Sequence, residues 1–289
     1  MLYLYAFLIL SILNAIKDIS AKQSMKWVSV DVLAWSTAFW TVCISLPFLF
    51  YVGIPENFSS HFFWVFLAGG ILYYTGKYFN FSALKLGDIS LISPMKWLVS
   101  VVVIFSSFIL LGELPNIWWG VGILLIFWWT YLLAIQKEHT KITEPIFYLW
   151  NNPWARLYLF SIFAYGFTVT IDRIWVLGSS VWFWTVSMNL CVIFFSLPWI
   201  WKSRKTAVTD IFSRWKSFIV LLLLHTIVYI SQMWIISQVL APYTSSFKTA
   251  SALFAVIFWG WFFQEKELFK KTLAALVIVG WVIIVAFFG

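Results

Sequence analysis

Charge is scarce in this chain. Of its 289 residues only 10% are Asp, Glu, Lys or Arg, against roughly 25% in an ordinary soluble domain. Cysteine is scarcer still. Two cysteines build neither a disulfide framework nor a thiolate metal cluster, so no metal and no cofactor is expected. No G-x-x-x-x-G-K-[ST] loop is present, so the chain does not hydrolyse ATP by that route. With no H-E-x-x-H, no G-x-S-x-G and no His/Asp cluster, nothing carries an intramembrane enzyme, and the chain is read as a non-enzyme. Residues 1–16 hold no Lys or Arg, which excludes the basic leader of a signal peptide. The first basic residues, Lys17, Lys22 and Lys26, come at the far end of the first apolar run. They predict an uncleaved first helix with its N-terminus outside.

Apolar surface is abundant: 63% of residues are hydrophobic and 22% aromatic. A soluble fold cannot hide that much, so the bilayer must be the solvent. A spanning helix takes about 20 apolar residues. Ten such runs occur, near 2–21, 29–52, 61–83, 89–112, 115–135, 155–177, 181–201, 216–239, 243–263 and 272–288. The segments near 136–154 and 202–215 read as the longest loops, and Pro145 to Trp150 as an interfacial stretch. In a ten-helix arrangement, 14 of the 19 basic residues fall in loops on one face: Lys22, Lys26, Lys85, Lys137, Lys141, Arg156, Lys202, Arg204, Lys205, Arg214, Lys216, Lys266, Lys270 and Lys271. By the positive-inside rule that face is cytoplasmic and both termini lie outside. The net charge of +8 therefore reports orientation in a multi-pass integral protein, placed in the plasma (inner) membrane, and not nucleic-acid binding.

The two halves resemble each other. "LYLYAFLIL…IKDI" from Leu2 matches "LYLFSIFAY…IDRI" from Leu157, and "SLPF" matches "SLPW". "SPMKW" matches "SSFKT", and in each the lysine precedes a glutamate by 17 residues: Lys96 and Glu113, Lys248 and Glu265. Five helices per half insert in opposite directions. Such inverted repeats mark secondary transporters with a site near the midplane. The organisation expected is a first repeat over 1–140, a connection over 141–154 and a second repeat over 155–289. "SALKLGDISLISPMKWLVSVVVIFSSFILLGELPNIWWGVGILLIF" and "APYTSSFKTASALFAVIFWGWFFQEKELFKKTLAALVIVGWVIIV" are similar to the second part of an EamA-type repeat of the drug/metabolite transporter superfamily. That resemblance implies an all-α membrane protein of ten helices and transport by alternating access. It also implies that helices 3, 4, 8 and 9 line the cavity while 1, 2, 6 and 7 move as gates.

Seven charges remain inside spans: Lys17, Asp18, Lys77, Lys96, Asp172, Arg173 and Lys248. A buried lysine or arginine costs on the order of 2.5–3.5 kcal/mol on insertion scales and faces a bundle interior or an aqueous cavity. Lys96 lies about 10 Å into helix 4 and Lys248 about 8 Å into helix 9 at 1.5 Å per residue. Their repeat-related positions make them the lead pair for an anionic guest, and some anion exchangers of the superfamily carry lysines in these two helices. Lys77 has no acid within one turn. Adjacent helical residues point about 100° apart, so Lys17-Asp18 and Asp172-Arg173 are expected to pair across helices. These four and His225 are candidates for gating or proton coupling. Tyr74, Tyr78, Trp97, Tyr229 and Trp234 are candidate ring or sugar contacts, with Tyr73 beside them. Glu113 and Glu265 read as fixing tight helix–helix turns. Pro94 is expected to interrupt helix 4, and Pro47 and Pro198 are candidate hinges.

The function expected is secondary transport of a small organic anion or zwitterion bearing a carboxylate or phosphate, driven by exchange or proton coupling. The alternative is an amino-acid or drug exporter with a mainly aromatic, neutral cavity; a lipid flippase is a third possibility. The partners expected are a small-molecule substrate and the lipid bilayer, with the chain a monomer or homodimer. Removing Lys96 or Lys248 is expected to abolish transport without loss of folded protein.

Overall fold

A bilayer offers backbone amides no water, so a chain this apolar closes its hydrogen bonds within helices. The computed structural model describes residues 2–55, 62–87, 92–113, 151–213, 215–242 and 244. Among them every regular element is helical and no strand occurs. Seven α-helices are present: α1 (Leu2–Ser24), α2 (Val30–Val52), α3 (Phe62–Leu86), α4 (Trp97–Leu111), α5 (Pro153–Gly178), α6 (Val181–Ser213) and α7 (Trp215–Gln238). A 3-10 turn, Ser93–Lys96, precedes α4. Helices α2, α5 and α7, and Val181–Trp201 of α6, are long and apolar enough to cross a membrane. The spans expected at 115–135 and 272–288, nearly all of 243–263, and the segment Pro145 to Trp150 lie outside the described residues.

Two elements differ from the sequence expectation. The polar stretch 202–215, read as a loop, is helical as far as Ser213, so α6 runs for 33 residues. At 1.5 Å per residue that is about 50 Å, well beyond the roughly 30 Å apolar layer. Polarity there marks a helix leaving the apolar layer, not a chain reversing. Helix 4, expected as one run from residue 89, is broken: Ile92 is helical, Ser93–Lys96 form a 3-10 turn, and the α-helix resumes at Trp97. Pro94 lies in the 3-10 turn, and a proline disfavours α geometry at the residue before it. Its other end is sharp: Gly112 takes φ 66° and donates to Phe108 O, while Glu113 N reaches Ser107 O at 3.3 Å. A left-handed glycine closing a helix in this way satisfies its last carbonyls.

The distribution of side chains inverts that of a soluble protein. Phe50, Tyr51, Trp64, Phe160, Phe163, Phe194 and Trp201 face outward, Tyr51 at 92% exposure. Thr37, Thr41, Ser106, Thr170, Thr185, Asn189 and Thr226 are buried. Lipid solvates the first set, while hydroxyls and small residues join helices. This is a membrane protein. Thr41 of α2 meets Thr226 of α7 at 3.1 Å, and Ser106 of α4 meets Thr170 of α5 at 2.6 Å. Gly166 permits the second contact, since a Cβ there would sit 2.3 Å from Val102 Cγ1.

Contacts at the helix ends fix the direction of each element. Lys22, ending α1, donates to Gly87 O just past α3. The Trp154 indole, starting α5, covers Gly87. Trp27, just before α2, packs edge-on against Phe218 near the start of α7, centroids 5.6 Å apart. These termini share one side, together with Lys26, Lys85, Arg156 and Lys216. On the opposite side Phe48, near the end of α2, stacks on Trp182 at the start of α6. Glu113, after α4, joins Arg173 of α5 and the end of α7 there. Helix α5 thus runs opposite to α1, α6 to α2 and α7 to α3. Exchanging those partners also maps packed pairs onto packed pairs: α3–α5 onto α1–α7, α3–α6 onto α2–α7, α5–α7 onto α1–α3, and α6–α7 onto α2–α3, with α2–α6 unchanged.

Candidate functional site

Helices α1, α3, α4, α5 and α7 enclose a cavity of about 90 Å³, room for several waters. It follows α5 from Tyr158 to Asp172, about 21 Å along the axis at 1.5 Å per residue. On α5 the lining residues Tyr158, Ser161, Tyr165, Thr168 and Asp172 recur every three to four positions and so form one stripe. Asn14 and Lys17 come from α1, Tyr73 and Asn80 from α3, and His225, Tyr229 and Gln232 from α7. Lys96 lies at the basic end of the cavity.

The ionic groups are organised at its two ends. At the basic side Lys96 Nζ meets Asp18 Oδ2 at 2.6 Å across helices, with both side chains buried. Lys17 Nζ also reaches Asp18 Oδ1 at 3.2 Å and donates to Asn14 Oδ1 at 2.7 Å. The expected cross-helix pairing of Asp18 is present, but its chain neighbour joins it. Lys96 closes the 3-10 turn that separates helical Ile92 from α4, and a buried cation there needs a counter-charge. Asp18 supplies it. At the opposite side Arg173 turns away from Asp172. Its Nε donates to Glu113 Oε1 at 2.8 Å, and its Nη1 donates to Ile236 O at 2.8 Å and Val239 O at 2.6 Å. The guanidinium thereby caps the end of α7 and ties it to α4. Asp172 accepts from Trp184 Nε1 at 2.7 Å.

Several buried polar atoms near the cavity meet no hydrogen-bond partner among the described residues: Ser161 Oγ, His225 Nδ1 and Lys77 Nζ. His225 stacks on Tyr229, with ring planes 8° apart. Lys77 does not line the cavity. Its ammonium lies 5.7 Å from the centre of the Tyr73 ring, which does line it.

The remaining sequence candidates are dispersed. Tyr74 and Tyr78 are half-buried; Tyr74 packs on Tyr78 and on Phe195 of α6, away from the cavity. Trp234 is 44% exposed on the outer face. The side chain of Trp97 and the whole of Lys248 lie outside the described residues. Charge and ring type alone did not single out Tyr158, Ser161, Tyr165, Asn14, Asn80 and Gln232. A helix-periodic polar stripe inside an apolar run was the available signal. The described cavity wall includes α1 and α5, the first and sixth helices of the expected count, beside α3, α4 and α7.

No protein-family profile matches the chain, and no curated protein matches it. It is similar to a protein of known crystal structure at 17% identity and a TM-score of 0.63, over 98% of this chain and 94% of that one. At that identity the likeness speaks for a shared fold alone.

Proposed function

We propose that the chain is a secondary transporter. In this reading it moves a small organic anion or zwitterion, bearing a carboxylate or phosphate, by alternating access of two inverted five-helix repeats. The observation that carries it is a cavity lined by polar and aromatic side chains among helices whose outer faces are apolar, between halves that run in opposite directions. Helix pairs that map onto one another when the halves are exchanged support the inverted-repeat reading on which alternating access rests. The Asp18–Lys96 pair at the basic end and the Glu113–Arg173 junction at the other are the natural gates. The ten-helix count, the EamA-like ancestry and the extracellular termini belong to the same proposal. So does a cytoplasmic basic side in the plasma (inner) membrane.

A second reading has its own support. Tyr73, Tyr158, Tyr165 and Tyr229 dominate the wall, and Asp18 already meets the charge of Lys96. That favours a mainly aromatic, neutral site suited to an amino-acid or drug exporter. Thermal shift of the purified protein against anionic, zwitterionic and cationic metabolites separates the two, because a ligand specific for the native state raises Tm by mass action. Stabilisation by anions or zwitterions, followed by their uptake into proteoliposomes, is the expected result. Stabilisation by cations alone defeats the first reading.

A further inference from the structure

Resting on the anion-transport reading, we infer that Lys77, and not Lys96, meets the negative charge of the guest, binding one carboxylate or phosphate group beside Tyr73. The inference comes from which intramembrane cations already have partners. Lys96 and Lys17 both contact Asp18. Arg173 is held by Glu113 and two carbonyls. Lys77 is 1% exposed, and its Nζ finds no hydrogen-bond partner among the described residues. No acid lies within a turn of it on α3. An isolated ammonium is costly to remove from water and persists only where a counter-charge or water can reach it.

Its position provides that access. Tyr73, Lys77 and Asn80 stand at i, i+4 and i+7, one stripe of α3, and the outer two line the cavity. The ammonium lies 5.7 Å from the centre of the Tyr73 ring, and Tyr73 lines the cavity. A ring face attracts a cation by only about 0.5–2 kcal/mol, far less than an anion would. The same ring touches Tyr229 and Tyr165, with centroids 5.5 and 6.4 Å away, so it borders the open space directly. A guest anion that passes Tyr73 gains an ammonium that no carboxylate among the described residues contests. At Lys96 it would first have to displace Asp18. The unmet His225 Nδ1 then contacts the uncharged part of the guest.

The test uses full-length protein in detergent, with inorganic phosphate, succinate and glutamate as probes and choline as control. At least one anion should raise the Tm of the wild type. Lys77→Met keeps the stem and removes the charge. It should fold with an equal or higher Tm, since a buried charge is gone, and lose the anion shift. The double variant Asp18→Leu, Lys96→Met should retain that shift. A lower Tm for ligand-free Lys77→Met makes the lysine structural and overturns the inference. So does an undiminished anion shift in Lys77→Met, which leaves the transport reading standing. A wild type that responds to none of the three anions removes both.

Discussion

Asp18 and Lys96 are a buried pair whose members are each harmful alone. Removing one partner of such a pair costs about 3–5 kcal/mol, whereas replacing both with apolar residues is often neutral. Asp18→Leu, which strands both Lys96 and Lys17, should therefore lower the Tm sharply, Lys96→Met should lower it less because Lys17 still meets Asp18, and the double variant should recover part of the Asp18→Leu loss. A denaturation cycle in detergent measures this, and additive losses would mean the contact carries no coupling. The pairing revises the expectation that Lys96 can be removed without loss of folded protein. The charges themselves were legible, because a lysine stands out in an apolar run. Their partners were not, since Asp18 and Lys96 are separated by 78 positions and only packing brings α1 to the start of α4. Arg173 shows the same limit. Its neighbour Asp172 does not name its partners, since its fork spans Glu113 and two carbonyls of another helix end. A lysine lacks that planar fork. Arg173→Lys should cost about 1.5–3 kcal/mol, the range for hydrogen bonds to a charged group, read as a lower unfolding midpoint.

At the scale of elements, the α4–α5 contact rests on one missing side chain. A Cβ on Gly166 would lie 2.3 Å from Val102 Cγ1, 2.5 Å from Val102 Cβ and 3.3 Å from its carbonyl carbon. Gly166→Ala must push the helices apart, and overpacking of this kind costs about 1–3 kcal/mol. It also stretches the Ser106–Thr170 bond. Val102→Ala should not rescue it, because the Cβ remains in the way. Val102→Gly should rescue it in part, and the comparison of the two double variants by thermal unfolding decides the point. Helix existence was readable from apolar run length alone, and α2, α5 and α7 begin and end within a few residues of expectation. Helix ends set by something other than hydropathy were not readable. α6 continues past its last apolar residue, whereas the break in helix 4 at Ser93–Lys96 falls where Pro94 announced it. The cavity wall on α5 escaped for a related reason. Tyr158, Ser161, Tyr165 and Thr168 carry no charge, and their periodicity shows only when polar residues are counted along an apolar helix.

For the whole molecule, the decisive property is direction. Helix α1 ends beside Gly87 and the start of α5, whereas α5 ends beside Glu113 and the end of α7. The C-terminal ends of these two helices, which match in sequence, therefore lie on opposite sides of the bundle. If the bundle crosses the membrane as proposed, a cysteine at Gln23 and one at Gly178 must face different compartments. Both positions are exposed, and a side chain at Gly178 meets nothing within 4 Å. In a background lacking Cys43 and Cys191, a membrane-impermeant maleimide applied to intact cells should label Gly178→Cys and leave Gln23→Cys unlabelled. Opening the cells should expose Gln23→Cys. Basic residues accompany the Gln23 end, and basic loops remain cytoplasmic, so the sign of the result is fixed as well as the contrast. Labelling of both sites from one side would remove the inversion, and alternating access of two halves would lose its geometric basis. Labelling on opposite sides with the compartments reversed would keep the inversion and reject only the charge-based orientation.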